Sequence, residues 1–197
     1  NEFLNNWIKN KKRNNNSIII KEFRIGKAIA DLAMFNGTSK VFEIKTILDK
    51  EYRLSNQIQE YKKIFNEVYI IVPKQQLLKY LNYDNSVGVV TYDSILKKFE
   101  LYRKAEKINK LDSEILMEIL HSKEYVKISK NYYGELPEMN SFNQFEICKK
   151  LISKIPQNDL NNLFIATMKD RNINNQFFNK VNNEFNQISL SFNLKRQ

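Results

Sequence analysis

The chain has 197 residues, a net charge of +10 and a hydrophobic content of 42%, which suffices for one domain with an appendage or for two small domains. It has no apolar run long enough to cross a membrane, no apolar segment typical of a signal peptide, and a single cysteine, which excludes an internal disulfide. The positive charge favours nucleic acid as a partner, although a composition rich in lysine and asparagine also results from AT-rich coding DNA. We expect no membrane association, and the single cysteine fits a reducing compartment.

The first half of the chain alternates short β-branched or apolar runs with amphipathic stretches, which predicts a mixed sheet flanked by helices. Strands are predicted at 17–24, 28–35, 40–47, 68–72 and 88–91. Helices are predicted at 3–13, 53–66 and 75–81. The second and third strands are joined by Asn36-Gly37, a dipeptide typical of hairpin turns.

After residue 92 the apolar residues have helical spacing only. A charged connecting helix is predicted over 97–110, and further helices follow it to the end of the chain. The predicted fold is therefore α+β, with a mixed sheet flanked by helices in residues 1–96 and an all-α part in residues 111–197.

Two carboxylates and a lysine fall on neighbouring predicted strands. Glu43 and Lys45 are two residues apart, so their side chains point to one face of a strand, and Asp31 lies on the preceding strand. A two-residue Asn36-Gly37 turn would place Asp31 on the wrong face, whereas the three-residue loop Phe35-Asn36-Gly37 is expected to place it diagonal to Glu43. A shared site thus requires an odd loop or a bulge.

Two carboxylates that face one point repel each other unless a cation lies between them, and such oxygen ligands suit Mg²⁺ or Mn²⁺. The ion would lower the pKa of a bound water and polarise a phosphate, while Lys45 would orient or deprotonate that water. Glu22, on the first strand, is a further candidate ligand. Gln57 and Tyr61, one helical turn apart, could hold a phosphate or a water. The alternative is an ordinary strand with charges on its exposed face, and Tyr61 also fits the apolar stripe of its helix.

Several motifs together resemble the PD-(D/E)XK superfamily of restriction-endonuclease-like phosphodiesterases. They are KEFRIGKAIADLAMFNG, KVFEIKT, RLSNQIQEY and VYIIVP. Glu43-x-Lys45 matches the (D/E)XK element and Asp31 the preceding acidic position, although alanine stands where a proline often precedes it. Gln57-x-x-x-Tyr61 matches the QxxxY motif of the RecB-like branch. The chain is more closely similar to a little-characterised bacterial family with a SAP-like helical C-terminal region. The likeness covers residues 18–92 well and the helical half more loosely.

The resemblance implies a restriction-endonuclease-like fold and a nuclease that hydrolyses phosphodiester bonds, in DNA rather than RNA. It implies that Asp31, Glu43 and the carbonyl of Ile44 hold Mg²⁺, for which Mn²⁺ can substitute. Candidate nucleic-acid contacts are Arg53, Lys27, Lys12 and Arg13. Three alternatives stay open: a delivered toxin nuclease, either a DNase or a tRNase, with an immunity partner; a phage-defence nuclease; and a non-catalytic nucleic-acid-binding protein. The expected location is the bacterial cytoplasm, unless the chain is a delivered toxin.

Overall fold

The computed structural model describes residues 17–49 and 53–171. Its centre is a six-stranded mixed sheet whose spatial order follows the chain order. The strands are β1 Ile18–Ile25, β2 Ala28–Phe35, β3 Ser39–Ile44, β4 Glu67–Pro73, β5 Gly88–Asp93 and β6 Lys98–Arg103. β3, β4 and β5 run parallel to one another, and the other neighbouring strands are antiparallel. The predicted α+β class with a mixed sheet is confirmed.

The described helices pack on one face of this sheet and contribute to one shared hydrophobic core. They are α1 Leu54–Lys62, α2 Leu77–Leu81, α3 Ser113–Ile119, α4 Ser122–Tyr133, α5 Gln144–Ile152 and α6 Gln157–Asp170. The rings of Phe35 on β2 and Phe164 on α6 meet edge to face, with centroids 5.6 Å apart. No helix in the described ranges is long and apolar enough to span a membrane. The helix predicted at 3–13 lies outside the described residues.

The connecting helix predicted over 97–110 is wrong. Lys98–Arg103 forms β6, which pairs antiparallel with β5, and the described stretch from residue 94 to residue 112 contains no helix. Tyr92 and Phe99 lie opposite each other with ring centroids 4.6 Å apart. The next helix begins after Asp112, which accepts hydrogen bonds from the N–H groups of Glu114 and Ile115 and so caps α3.

The β2–β3 loop has three residues, 36–38, so that Phe35 lies opposite Ser39. The buried side chain of Asn66 fixes this loop, since its Oδ1 atom accepts from Thr38 Oγ1 at 3.1 Å and from the N–H of Ser39 at 2.9 Å. The odd loop that a shared site requires is therefore present. If the pairing of Leu32 with Phe42 is continued by one residue, Asp31 lies directly opposite Glu43 and not diagonal to it, as had been expected.

In both β1 and β2, the alternation of side chains between the two faces of the sheet is interrupted at the same level. Ala30 and Ala33 on β2 both contribute to the core under the helices, although regular alternation would put them on opposite faces. The backbone pairing of β1 with β2 skips Glu22 and Asp31, and Glu22 has a positive φ of 51°. This irregularity lies directly beside the two carboxylates.

Candidate active site

Glu43, near the end of β3, accepts hydrogen bonds from three side chains. Its Oε1 atom accepts from Lys45 Nζ at 2.9 Å and from Gln57 Nε2 at 2.8 Å, and its Oε2 atom accepts from the Tyr61 hydroxyl at 2.6 Å. Glu43 and Lys45 are both buried. A buried carboxylate costs free energy unless it is paired and hydrogen-bonded. These three donors therefore make a carboxylate tolerable at this position.

Gln57 and Tyr61 reach Glu43 because they lie one turn apart on the same flank of α1. The Gln57 Oε1 atom accepts from Lys45 Nζ at 3.1 Å, so the amide bridges the lysine and the carboxylate. The Tyr61 hydroxyl also lies 3.0 Å from the backbone carbonyl oxygen of Ile29. The structure thus brings together four of the residues that the sequence singled out.

Asp31 approaches the same point from β2. Its Oδ2 atom accepts the backbone N–H of Ile44 at 2.7 Å, in place of a backbone carbonyl. Its Oδ1 atom has no hydrogen-bond partner within the described residues. The N–H and C=O of one strand residue point to the same side, so the carbonyl of Ile44 also faces β2.

The two carboxylates of the site carry more negative charge than the hydrogen-bond donors around them neutralise. The pKa of Asp31 is raised to about 7, first by burial and then by the charge of Glu43, while the Ile44 N–H and Lys45 oppose the shift. Burial, together with the charge and hydrogen bond of Glu43, also raises the pKa of the Tyr61 hydroxyl far above its usual range. Tyr61 therefore stays a neutral donor. A cation beside Asp31 would relieve this excess negative charge.

Three oxygen atoms here are of the kind that Mg²⁺ takes as ligands. They are the Oδ1 atom of Asp31, the remaining lone pair of Glu43 Oε2 and the carbonyl of Ile44, and all three are oxygens. Across residues 17–49 and 53–171, no three acidic, histidine or cysteine side chains converge on one point. Water would complete the coordination, as is usual for Mg²⁺, which one or two carboxylates often suffice to hold.

Glu22 is not part of this group. Its side chain is exposed and lines a separate cleft with Arg24, Glu118 and His121. The physical reason is the left-handed backbone at Glu22, which breaks the alternation of β1. The structure therefore does not place Glu22 as a ligand or water contact beside Asp31.

Two of the predicted nucleic-acid contacts lie near the site. Arg53 is exposed just before α1, one turn before Gln57, and Lys27 is exposed in the two-residue turn between β1 and β2. The other two, Lys12 and Arg13, lie outside the described residues.

Two contributors were missed by sequence reasoning. Asp49 follows β3, accepts the N–H of Thr46 at 2.6 Å, and its charge adds to the raised pKa of Asp31. Aspartate is a frequent turn residue, so its position just after a predicted strand could have indicated such a contact. The carbonyl of Ile29 is a backbone group, so no residue pattern could have identified it.

A sequence model of the family described as bacteriophage P4 protein cII matches residues 1–193. The chain belongs to this family. Protein cII of Enterobacteria phage P4 is 26% identical over 202 residues, an alignment that covers 97% of this chain and 75% of that protein.

The resemblance to the PD-(D/E)XK superfamily is therefore wrong as a family assignment, and so is the likeness to a small bacterial family within it. Its motifs are short, whereas the cII match extends over nearly the whole chain. Similar constellations of residues recur on unrelated proteins, so the function has to be argued from the site itself.

A protein of unknown function from Silicibacter pomeroyi has a solved structure that is similar over 63% of this chain and 85% of its own chain. The TM-score is 0.41 and the sequence identity is 15%. A likeness this slight supports no conclusion about either fold or function.

Proposed function

We propose that this chain is a divalent-metal-dependent nuclease that hydrolyses phosphodiester bonds in DNA. The observation that carries the proposal is the group of Lys45, Gln57 and Tyr61 around the buried Glu43, with Asp31 beside it. A strand that served only the fold would gain no stability from a second carboxylate whose pKa is raised by burial and by a like charge. Ionisable groups with such shifted pKa values cluster at functional sites.

Each side chain has a separate task in this proposal. Asp31 and Glu43, together with the carbonyl of Ile44, hold Mg²⁺ or Mn²⁺. A divalent cation, when bound, supplies positive charge to the phosphate and lowers the pKa of water. Lys45 orients the attacking water and offsets the negative charge that develops on the phosphate. Gln57 fixes the ammonium group of Lys45 through its amide oxygen, 3.1 Å away.

The finer description of the fold that we propose is a restriction-endonuclease-like sheet followed by an all-α part. It is supported by the antiparallel strands β1 to β3, the crossover through α1 to a parallel β4, and a candidate site at the end of β3. After β6, the described regular elements are all helices. This is a likeness of architecture and not of descent.

The proposal can be tested with purified protein, supercoiled plasmid and labelled oligonucleotides in Mg²⁺, Mn²⁺ or EDTA. We expect cleavage that depends on the metal, and a loss of about 100-fold or more in Asp31→Asn and Lys45→Ala. Lys40→Ala is the matched control, because Lys40 lies on the same strand and pairs with Glu67 at 2.6 Å, away from the site. Cleavage that persists at the wild-type rate in both site variants would refute the proposal.

A nucleic-acid-binding protein without catalysis is the second candidate. It is favoured by the net charge of +10, because neutralising phosphates with lysine and arginine releases counterions. This second function predicts nucleic-acid binding that weakens with salt and no metal-dependent cleavage by the wild-type chain. The cleavage assay above therefore distinguishes it from the nuclease.

A further inference from the structure

Five exposed aliphatic side chains surround the carboxyl ends of β3, β4 and β5, and we call them the apolar rim. They are Ile47, Leu48, Leu78, Ile95 and Leu96, each between 63% and 88% exposed. Because the three strands are parallel, the segments that follow them emerge at one edge of the sheet. The candidate active site lies at this same edge, at the end of β3.

The part of the rim in the β5–β6 loop is held in a fixed shape. The Oδ1 atom of Asp93 accepts the N–H groups of Ile95 at 3.0 Å and Leu96 at 3.1 Å, and its Oδ2 atom accepts from Lys74 at 3.1 Å. Lys97 closes the turn with a φ of 51°. The loop therefore presents two aliphatic side chains to solvent. Groups of exposed apolar side chains at one edge of a sheet are candidates for contact surfaces.

The charge around the rim is positive. Four lysines lie in the segments that follow β4 and β5, against three nearby acidic residues. The lysines are Lys74, Lys79, Lys97 and Lys98, and the acidic residues are Asp49, Asp93 and Glu100. Lys74, Lys97 and Lys98 are exposed at the rim itself. Aliphatic side chains among lysines, next to a site suited to phosphate chemistry, complement a ligand that has both apolar faces and phosphates. Nucleic acid with accessible bases is such a ligand.

We propose that the apolar rim packs against unstacked bases of single-stranded or frayed nucleic acid that enters the candidate active site. This inference rests on the proposed function and names its substrate class. In an intact duplex the base faces are stacked on one another, so aliphatic side chains can reach them only by wedging between steps or where the strands have separated. β5 lies two strands from β3, which places the hairpin tip roughly 10–20 Å from Glu43, the length of a few nucleotides.

The test measures equilibrium binding by fluorescence anisotropy, in the presence of EDTA to prevent hydrolysis. The probes are a single-stranded oligonucleotide, the duplex of the same sequence, and vesicles containing phosphatidylserine. The variant is the double substitution Ile95→Ser with Leu96→Ser. Phe142→Ser is the matched control, because Phe142 is 93% exposed and precedes α5, outside the rim. Thermal unfolding of both variants checks that they are folded.

We expect the double variant to bind the single strand about tenfold more weakly, as for the loss of one base contact. Duplex binding and the Phe142→Ser control should stay within about twofold of wild type. Unchanged single-strand affinity, or equal weakening toward the duplex, would overturn the proposal. So would vesicle binding that the double variant loses while its single-strand affinity is retained, since that result assigns the rim to a membrane surface.

The two proposals can fail separately. If the wild type cleaves DNA and the double variant binds the single strand as tightly as the wild type does, only the proposal for the apolar rim is refuted. If the double variant binds the single strand more weakly than the wild type does, but the wild type shows no metal-dependent cleavage, only the nuclease proposal is refuted.

Discussion

Replacing Asp31 with asparagine would test the electrostatic description of the site, because it removes one negative charge while keeping the size of the side chain. The amide oxygen can still accept the N–H of Ile44, which Asp31 accepts at 2.7 Å. The substitution removes the carboxylate, whose pKa is raised from 3.8 to about 7 by burial first and by the charge of Glu43 second.

Proton linkage gives the sign of the effect. Between about pH 4 and pH 7, folded Asp31 holds a proton that the unfolded chain has released, so wild-type stability falls as the pH rises and levels off above about 7. A shift of about three pH units corresponds to at most about 4 kcal/mol. Because Asp31 is only partly buried, solvent screening should reduce this to about 1–3 kcal/mol. The asparagine variant should exceed wild type by that amount at pH 8 and match it near pH 4.

Urea denaturation in EDTA across this pH range measures the difference in free energy of unfolding. Asp84→Asn is the matched control. Burial alone would raise the pKa of Asp84, but hydrogen bonds from Lys62 and Ser86 outweigh it, and the pKa is lowered. The control should therefore lose stability at pH 8, the opposite sign from Asp31→Asn.

A stability difference that does not vary with pH, or a wild type more stable than Asp31→Asn at pH 8, would refute the electrostatic reasoning. Mg²⁺ extends the test, since a ligand that binds only the folded chain raises its stability. We expect Mg²⁺ to stabilise the wild type and to leave the variant nearly unchanged. Equal stabilisation of both would remove Asp31 from the proposed metal site.

Three further predictions concern other parts of the structure, and urea denaturation measures the expected differences in stability. Tyr61→Phe removes a hydrogen bond of 2.6 Å to a buried carboxylate and should cost about 1–3 kcal/mol; no loss would show that this bond is dispensable. Gly88→Ala would place a Cβ atom 2.3 Å from the ring of Tyr69 and should cost about 1–3 kcal/mol or more, whereas Gly134→Ala, with φ of 77° and open space around it, should cost only about 1 kcal/mol. Glu22→Gly should be about 1 kcal/mol more stable than Glu22→Ala, because only glycine adopts the positive φ without strain, and both should cleave DNA at the wild-type rate.

Much of the sheet could be predicted from local patterns in the sequence. The continuous apolar run of β4 indicates a buried parallel strand, and all but the last of its residues are buried. The positions of Glu43 and Lys45 follow from strand alternation, and those of Gln57 and Tyr61 from the helical turn. These are short-range rules, and they explain why the sequence identified most of the site before its geometry was known.

β6 could not be predicted in this way. In Lys98–Arg103, Phe99 and Leu101 alternate with Lys98 and Glu100, but this pattern covers only six residues of an edge strand that is exposed along most of its length. Its conformation depends on pairing with β5, in which Leu101 lies opposite Val90 and Phe99 opposite Tyr92. Local preference is weak in such a segment, and partners distant along the chain decide between helix and strand.

The position of Asp31 depends on the same kind of non-local information. A regular β2 would continue its backbone pairing past Asp31, but the alternation shifts between Ala30 and Ala33 and the pairing with β1 is skipped at Glu22. The carboxylate of Asp31 then takes the backbone N–H of Ile44 that a regular neighbouring strand would accept. Irregularities of this kind often re-aim one side chain beside an active site. The break in the sheet therefore contributes to the raised pKa of Asp31, because it places this carboxylate in a partly buried position against β3 and brings it next to the charge of Glu43.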